Sequence, residues 1–165
     1  MNNVVLSLGS NVGDRQSNLS AAINRISKIP AMLLKKSSVY QTAPWGNADQ
    51  PDFYNQVVEI ETAFEALPLM EKLLSIEASM GRKRNEKWEP RIIDIDILFF
   101  NEEILKTDKL TIPHKLLHER KFVLEPLYDI LPDKNHPELQ RNISSLLSDL
   151  TNGGMTEKFK MISSG

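Results

Sequence analysis

Two aspartates interrupt an otherwise apolar stretch at residues 92–100. Successive side chains of a strand point to opposite faces, so Asp94 and Asp96 would share one face and four apolar residues the other, namely Ile93, Ile95, Ile97 and Phe99. Adjacent carboxylates repel each other, and burying them is costly without a compensating partner. Mg²⁺ prefers carboxylate oxygens and completes its coordination with water and substrate phosphates. The spacing therefore indicates a magnesium site; the alternative is two aspartates that face water from a half-exposed sheet.

A basic segment lies directly before this pair. Residues 81–91 contain one tryptophan and five basic side chains, which are Trp88 and Arg82, Lys83, Arg84, Lys87 and Arg91. Guanidinium groups suit phosphate oxygens, and an indole ring can stack on a heterocycle. A charge run is usually a solvated loop, but the neighbouring acidic pair favours a site in which cations converge on a polyphosphate. The sequence lacks the Gly-x-x-x-x-Gly-Lys-Ser/Thr phosphate loop of the common nucleoside triphosphatases.

Other polar positions are weaker candidates. Glu77 lies at the edge of an apolar helix face, one turn before the basic segment, where most glutamates are simply exposed. His114 follows a proline turn, and a lone histidine is more often structural. Trp45, Phe53 and Asn55 could hold a flat ring and hydrogen-bond its edge, although aromatic residues beside a strand usually belong to the core.

The elements that would position these residues follow the order β-α-β-β-α-β. Apolar runs predict strands at residues 4–8, 32–40, 53–60 and 92–100, and loops at 41–52 and 82–91. Helical periodicity predicts one helix that is capped by Asp14 and ends at Pro30, and another from Pro68 to Gly81. This order is that of a ferredoxin-like α+β fold, an antiparallel sheet with both helices on one face.

The C-terminal third is expected to add smaller elements to this fold. A hairpin is predicted at residues 103–112 and short helices at 122–129 and 143–150. No repeat or composition shift divides the chain, so we expect one domain over residues 1–165.

Composition excludes several classes of function. The chain has 165 residues, 41% apolar and 25% charged, with a net charge of −2, so no overall field favours a nucleic acid or an anionic membrane. It has no cysteine, which excludes disulfides and thiolate metal sites. The first residues lack the charged and apolar regions of a signal peptide, and no apolar run is long enough to cross a bilayer, so we expect neither a leader nor a membrane span. Our expectation is a cytoplasmic protein, taken as a monomer, without a nucleic-acid or membrane partner.

Together the motifs resemble the hydroxymethyl-dihydropterin pyrophosphokinase family over nearly the whole chain. The resemblance is carried, in order, by Gly9-Ser10-Asn11, Thr42-Ala43-Pro44-Trp45-Gly46, Gln50-Pro51-Asp52-Phe53-Tyr54-Asn55, Glu77, Gly81-Arg82-Lys83-Arg84, Trp88-Glu89-Pro90-Arg91-Ile92-Ile93-Asp94-Ile95-Asp96, Pro113-His114 and residues 120–127. It implies the ferredoxin-like fold and transfer of the terminal pyrophosphoryl group of ATP to the hydroxymethyl oxygen of a reduced pterin, with release of AMP.

The resemblance also implies roles for individual residues. Asp94 and Asp96 would hold two magnesium ions, and Arg82 and Arg91 would neutralise charge on the phosphoryl oxygens. The ATP site would comprise Glu77, Arg82, Arg84, Trp88, Arg91, Ile97, Lys109, Thr111, His114, Lys115 and Arg120. The pterin would contact Thr42, Pro44, Trp45, Asn55, Trp88 and Asp94, with Phe53 and Phe122 on opposite faces of its ring. The two predicted loops would close over the substrates. Departures from the family pattern occur at Phe53, Lys87, Glu89, Lys109 and Lys115, and they concern affinity and loop geometry rather than the reaction.

Two rival interpretations use the same predicted fold. A palm-type nucleotidyl transferase also pairs aspartates on such a sheet with two metal ions, but it would release pyrophosphate instead of AMP. A ferredoxin-like RNA-binding module would need exposed aromatic residues and a basic sheet face. The acidic pair on the last strand would repel an RNA backbone, which argues against the second interpretation.

Overall fold

An antiparallel sheet with helices on both faces organises the chain. The computed structural model describes residues 1–43, 49–82, 91–152 and 159–163. The elements in these ranges are β1 (Asn2–Ser10), α1 (Arg15–Lys28), β2 (Ala31–Lys36), β3 (Val39–Thr42), β4 (Phe53–Thr62), α2 (Ala66–Ser79), β5 (Asp94–Phe100), β6 (Leu105–Lys106), β7 (Thr111–Ile112), a 3₁₀ turn (Leu117–Glu119), α3 (Lys121–Ile130), β8 (Asn135–His136), β9 (Arg141–Asn142), α4 (Ile143–Asn152) and β10 (Phe159–Ser163).

The main sheet has the predicted βαββαβ order but six strands instead of four, because residues 32–40 form two strands and β10 is added. Its strands run β10-β3-β4-β1-β5, and β2 pairs with β4 beside β3. All of these pairs are antiparallel. The expected ferredoxin-like α+β class is therefore confirmed, with β1 and β4 at the centre of the sheet.

The first face of the sheet is covered by α1 and α2, as predicted. Asp14 caps α1 by accepting a hydrogen bond from Ser17 N at 3.1 Å. The periodic apolar residues of both helices, such as Leu19 and Leu73, pack against Leu6 and Leu8 of β1 in one continuous core. Burying this apolar surface is the main force that holds the helices to the sheet.

The second face is covered in part by α3 and α4. These helices bury Leu124, Leu127 and Leu146 against Val5 and Val57 of the central strands. The helices predicted at residues 122–129 and 143–150 are confirmed with bounds one or two residues wider. The predicted hairpin at residues 103–112 is also confirmed, as β6 and β7.

One prediction about β5 is wrong. Phe99 does not share a face with Ile95 and Ile97, because a β-bulge inserts Leu98 between the partners of two consecutive residues of β1. An extra residue in one strand reverses the alternation beyond it. Phe99 therefore packs on the second face, with Leu98, while Ile95 and Ile97 stay in the first core.

The single strand predicted at residues 32–40 is two strands. Ser37 separates β2 from β3, and its hydroxyl accepts a hydrogen bond from Val57 N at 2.9 Å while Gln56 Nε2 donates to Ser37 O at 2.8 Å. These side-chain bonds replace regular ladder bonds, so the strand is interrupted.

Other boundaries differ from the predictions. The predicted loop at 41–52 begins two residues later, since β3 continues to Thr42. The strand predicted from residue 92 begins at Asp94. Two pairings were not predicted, β8 with β9 and β10 with β3. No helix in the described ranges has the length and apolar character needed to cross a bilayer.

Candidate active site

A cavity of about 200 Å³ opens on the second face of the sheet, beside the start of α3. Nine of the residues predicted for the site line it: Thr42, Phe53, Asn55, Arg91, Asp94, Asp96, His114, Arg120 and Phe122. They come from four separate parts of the chain, which the sheet and α3 bring together. The lining also includes Ser7, Gly9, Ala43, Gln50, Leu98 and Val123, which were not predicted as site residues.

The acidic pair lies on the floor of this cavity. Asp94 pairs across the sheet with Gly9, and Asp96 pairs with Ser7, so both carboxylates stand on the cavity face. The small residues of β1 leave space above the floor. The predicted juxtaposition of the two acids on one face of the strand is confirmed.

Two arginines hold Asp94 from opposite sides. Arg82 Nη1 donates to Asp94 Oδ1 at 2.9 Å, and Arg91 Nη1 donates to Asp94 Oδ2 at 3.0 Å. Arg82 also bonds both carboxylate oxygens of Glu77. Glu77 is buried in α2 and accepts a further bond from Ile95 N at 3.3 Å. The side chain of Arg82 is thus placed by α2 and aimed at the cavity floor.

Asp96 lies in a strongly acidic environment. Burial, together with the nearby charges of Asp94 and Glu77, raises the pKa of the Asp96 carboxyl well above its ordinary value. Arg120 and Arg82 oppose this shift and do not overcome it. A metal cation next to Asp96 would therefore be bound favourably, in addition to the two arginines.

The donor set fits magnesium bound together with a phosphate ligand. Mg²⁺ is commonly held by one or two carboxylates, with the rest of its shell supplied by water and substrate phosphates. Asp94 and Asp96 provide such a pair. In the described residues no group of three acidic, histidine or cysteine side chains could hold a metal ion alone. Arg82 Nε is buried and has no hydrogen-bond partner among the described residues, although Arg82 itself does not line the cavity.

The other end of the cavity is aromatic and amide-lined. Phe53 and Phe122 both line it. Asn55 is buried, and its Nδ2 donates to Thr42 Oγ1 at 2.7 Å, which leaves its Oδ1 toward Gly9. The guanidinium carbon of Arg120 lies 5.5 Å from the ring centroid of Phe122. Flat rings and an oriented amide are suited to an aromatic heterocycle with polar edges.

His114 is neutral at physiological pH. Burial, assisted by the positive charge of Arg120, lowers the pKa of His114 to about 4. Leu116 N donates to His114 Nδ1 at 3.3 Å, so the ring proton is on Nε2. That N–H is a neutral donor beside the cavity, which can bind an oxygen without adding a charge.

A second, more open cavity of about 440 Å³ lies next to β7 and includes two further predicted ATP-site residues, Thr111 and Lys115. Lys106 and Glu138 form an ion pair at its edge. Lys109 is exposed in the turn between β6 and β7 and lines neither of these two cavities.

The remaining predicted residues fall elsewhere. The side chain of Ile97 is buried in the core beneath α1 and α2, so only its backbone remains for the predicted ATP contact. Four predictions lie outside the described residues, namely Pro44, Trp45, Arg84 and Trp88.

Sequence reasoning missed residues that shape the site without charge. Ser7 and Gly9 alternate with the apolar core residues Leu6 and Leu8 of β1, and that alternation could have placed them on the cavity face. An asparagine that follows glycine and serine is typical of a turn, but Asn11 is fully buried between segments of the site. Neither Asn11 nor Gln50 has a charge or a periodic pattern that marks a site, and both appear only among the residues that carry the family resemblance.

Comparisons with known proteins agree with this geometry. The family model described as 7,8-dihydro-6-hydroxymethylpterin-pyrophosphokinase (HPPK) matches residues 5–132. A protein of Methylorubrum extorquens named 2-amino-4-hydroxy-6-hydroxymethyldihydropteridine pyrophosphokinase is 41% identical over 134 residues, covering 81% of this chain and 85% of its own. A protein of Bacillus subtilis with the same name is 43% identical over 132 residues, covering 79% of each chain.

Solved structures show the same fold at low identity. Plasmodium falciparum HPPK-DHPS, crystallised with pterin and p-hydroxybenzoate, matches with a TM-score of 0.75 at 19% identity, over 98% of this chain and 46% of its own. Another HPPK-DHPS structure, in complex with substrates, matches with a TM-score of 0.73 over 92% of this chain and 44% of its own. This chain thus spans less than half of those longer proteins. The family match over most of its length and the close curated relatives show that the chain belongs to the 7,8-dihydro-6-hydroxymethylpterin-pyrophosphokinase family.

Proposed function

We propose that the chain transfers the terminal pyrophosphoryl group of ATP to the hydroxymethyl oxygen of 6-hydroxymethyl-7,8-dihydropterin, with release of AMP, as a step of folate biosynthesis. One observation carries this proposal. A single cavity has the acidic pair and Arg91 at one end, where Arg82 also bonds Asp94 from outside the lining, and the aromatic, amide-lined surface at the other. The two ends match a polyphosphate and a flat polar heterocycle.

The arginines are suited to the charge that moves during phosphoryl transfer. Arg82 and Arg91 already converge on Asp94, at 2.9 and 3.0 Å. Arg91 lines the cavity and Arg82 bonds the same carboxylate, so their N–H groups would donate to phosphoryl oxygens as negative charge develops there. Because Glu77 fixes Arg82 in advance, little reorganisation is needed when the substrate reacts.

Asp94 and Asp96 would hold two magnesium ions, which neutralise the polyphosphate and support the attacking hydroxyl when they are bound. The raised pKa of Asp96 supports this role, since a nearby cation would stabilise its charged form. No protein nucleophile is required, because the pterin hydroxyl attacks phosphorus directly and the chain contributes position and charge.

The aromatic end would bind the pterin. Phe53 and Phe122 would stack on its ring, and Asn55 with Thr42 would hydrogen-bond its edge. Contacts of the pterin with Pro44, Trp45 and Trp88 remain predictions.

For ATP, the neutral His114 and the basic Arg120 lie beside the acidic pair, and Thr111 and Lys115 lie in the adjoining cavity. This arrangement supports an ATP path that runs from the cavity floor toward β7. We also propose that residues 1–165 form one domain that acts as a cytoplasmic monomer. A contact between Arg84 and ATP remains a prediction.

Product analysis tests the function directly. The protein is incubated with ATP, Mg²⁺ and the reduced pterin alcohol, and nucleotides are separated by chromatography. We expect AMP and the pterin diphosphate in equal amounts, with neither product formed when the pterin or Mg²⁺ is omitted. Release of pyrophosphate with a nucleotidylated product would instead support a nucleotidyl transferase, and the absence of any ATP turnover would refute the proposal.

A further inference from the structure

Asn11 joins two parts of the cavity wall that are far apart in sequence. Its Nδ2 donates to Gln50 Oε1 at 2.9 Å and to Pro51 O at 3.3 Å. Its Oδ1 accepts a hydrogen bond from Arg91 N at 2.7 Å, and its own N–H donates to Arg91 O at 3.0 Å. Asn11 is fully buried, so these bonds are not exchanged with water.

The orientation of this amide is set by the backbone. Arg91 N–H can only donate, so it requires the oxygen of the Asn11 amide on its side. The NH₂ group of Asn11 must then face Gln50, which in turn requires the Gln50 oxygen. Gln50 Nε2 is left buried without a hydrogen-bond partner in the described parts of the chain. The Gln50 side chain is therefore held in one orientation even though one of its donors stays unsatisfied.

Each end of this chain of bonds leads to a part of the proposed site. On one side, Gln50 lines the cavity and lies three residues before Phe53. This segment is held further by Arg15 Nη1, which donates to Asp52 O at 2.7 Å. On the other side, the backbone of Arg91 is fixed three residues before Asp94, which its guanidinium binds. Asn11 thus connects the proposed pterin wall with the proposed phosphate wall.

We propose that Asn11 is a positioning residue that sets the distance between the pterin-binding wall at Gln50–Phe53 and the phosphate-binding Arg91. This inference rests on the proposed function. It adds a residue that contacts neither substrate but fixes the position of one substrate relative to the other. The attacking hydroxyl and the phosphorus must approach within about 3–3.5 Å for reaction. A displacement of either wall therefore changes the rate as well as the binding.

Two variants and a matched control separate positioning from general stability. Asn11→Ala removes both side-chain links. Gln50→Leu is close in size and removes only the Asn11–Gln50 bond, which weakens the link on the pterin side while the bond from Asn11 Nδ2 to Pro51 O stays. Thr62→Val is the control, because Thr62 is also fully buried, donates to Pro30 O at 2.7 Å and accepts from Phe64 N at 3.2 Å, far from the cavity.

The readouts are the pterin KM, kcat, the single-turnover rate and the melting temperature. One to two buried hydrogen bonds correspond to changes of about tenfold. For Asn11→Ala we expect the pterin KM to rise about tenfold and the single-turnover rate to fall about tenfold. For Gln50→Leu we expect the rise in pterin KM alone. Thr62→Val should keep the pterin KM and the single-turnover rate within about twofold of the wild type. It should lower the melting temperature at least as much as Asn11→Ala does.

Hydrogen exchange gives a readout that does not depend on turnover. Peptides covering residues 49–54 and 91–96 should both exchange faster in Asn11→Ala, and only the first in Gln50→Leu. Kinetic constants of Asn11→Ala that match those of Thr62→Val would overturn the positioning role. If the wild type releases no AMP, the proposed function fails. Independently of that result, faster exchange in only one of the two segments of Asn11→Ala would show that Asn11 does not connect the two cavity walls.

Discussion

Replacing Gly9 with alanine tests whether the cavity surface formed by Gly9, Phe53 and Asn55 is shaped for the pterin ring. Gly9 lies between Asn55 on β4 and Asp94 on β5, and all three positions share the cavity face. A methyl group at Gly9 would lie 3.1 Å from Asn55 Oδ1 and 3.6 Å from Phe53 Cδ1. Carbon–oxygen contacts are ordinarily about 3.3–3.6 Å. Asn55 would therefore have to move by a few tenths of an ångström.

The cost should appear in binding more than in folding. Without substrate, Asn55 can shift away from the methyl group while keeping its 2.7 Å bond to Thr42. Alanine also avoids part of the entropy cost of glycine in a strand, about 0.5–1 kcal/mol. With the pterin bound, the same methyl overpacks a filled site, which costs about 1–3 kcal/mol. At about 1.4 kcal/mol per factor of ten, the pterin KM should rise roughly 5- to 150-fold.

The assay compares Gly9→Ala with Gly13→Ala. Gly13 has no atom within 4 Å of an added Cβ, but its φ of +69° lies in the left-handed region. Alanine there should cost about 1–2 kcal/mol of stability, or roughly 2–8 °C in melting temperature for a domain of this size. We expect Gly13→Ala to melt earlier with unchanged kinetics, and Gly9→Ala to show the reverse. A wild-type pterin KM in Gly9→Ala would refute the assignment of the surface around Gly9, Phe53 and Asn55 to the pterin.

Three further predictions concern charged groups. Asp96→Ala should reduce AMP release by about 10²–10³-fold without lowering the melting temperature, because burial already opposes the charge of Asp96; near-normal turnover would contradict the metal assignment. Arg82→Ala should slow the single-turnover rate by about 10²–10³-fold while the pterin Kd changes less than about threefold, and an unchanged rate would count against its role. Burial lowers the pKa of His136, whose Nδ1 accepts hydrogen bonds from Glu138 N and Leu139 N. The unfolded state therefore binds more protons than the folded state, and stability falls as the pH drops below about 6.5. The melting temperature of His136→Gln should therefore depend less on pH between 8 and 5 than that of the wild type, and parallel pH profiles would exclude this contribution.

Local patterns predicted most of the fold because the main elements have strong periodicity. The alternation of Asp94 and Asp96 with isoleucines placed the acids on one face, and the helical spacing after Asp14 and Pro68 placed the first core. These signals depend only on neighbouring residues, so tertiary contacts do not alter them.

Predictions failed where a single residue changes the register. Phe99 could not be placed from its position in the apolar run, because the bulge at Leu98 depends on how β5 pairs with β1. Ser37 likewise ends a strand through bonds with Gln56 and Val57, about twenty residues away. In both cases the cause lies in the partner strand, which the local sequence does not reveal.

The residues of the candidate site also differ in whether the local sequence reveals them. Charged residues such as Asp94 and Arg91 can be predicted because their chemistry is visible in their side chains. Asn11 cannot, since an asparagine after glycine and serine normally indicates a turn that it stabilises by local bonds. Here its amide instead bonds residues about 40 and 80 positions away. Its role follows only from the sheet, which brings the end of β1 next to the start of β5. The structure therefore adds most to the sequence at this buried amide, whose partners are distant in the chain.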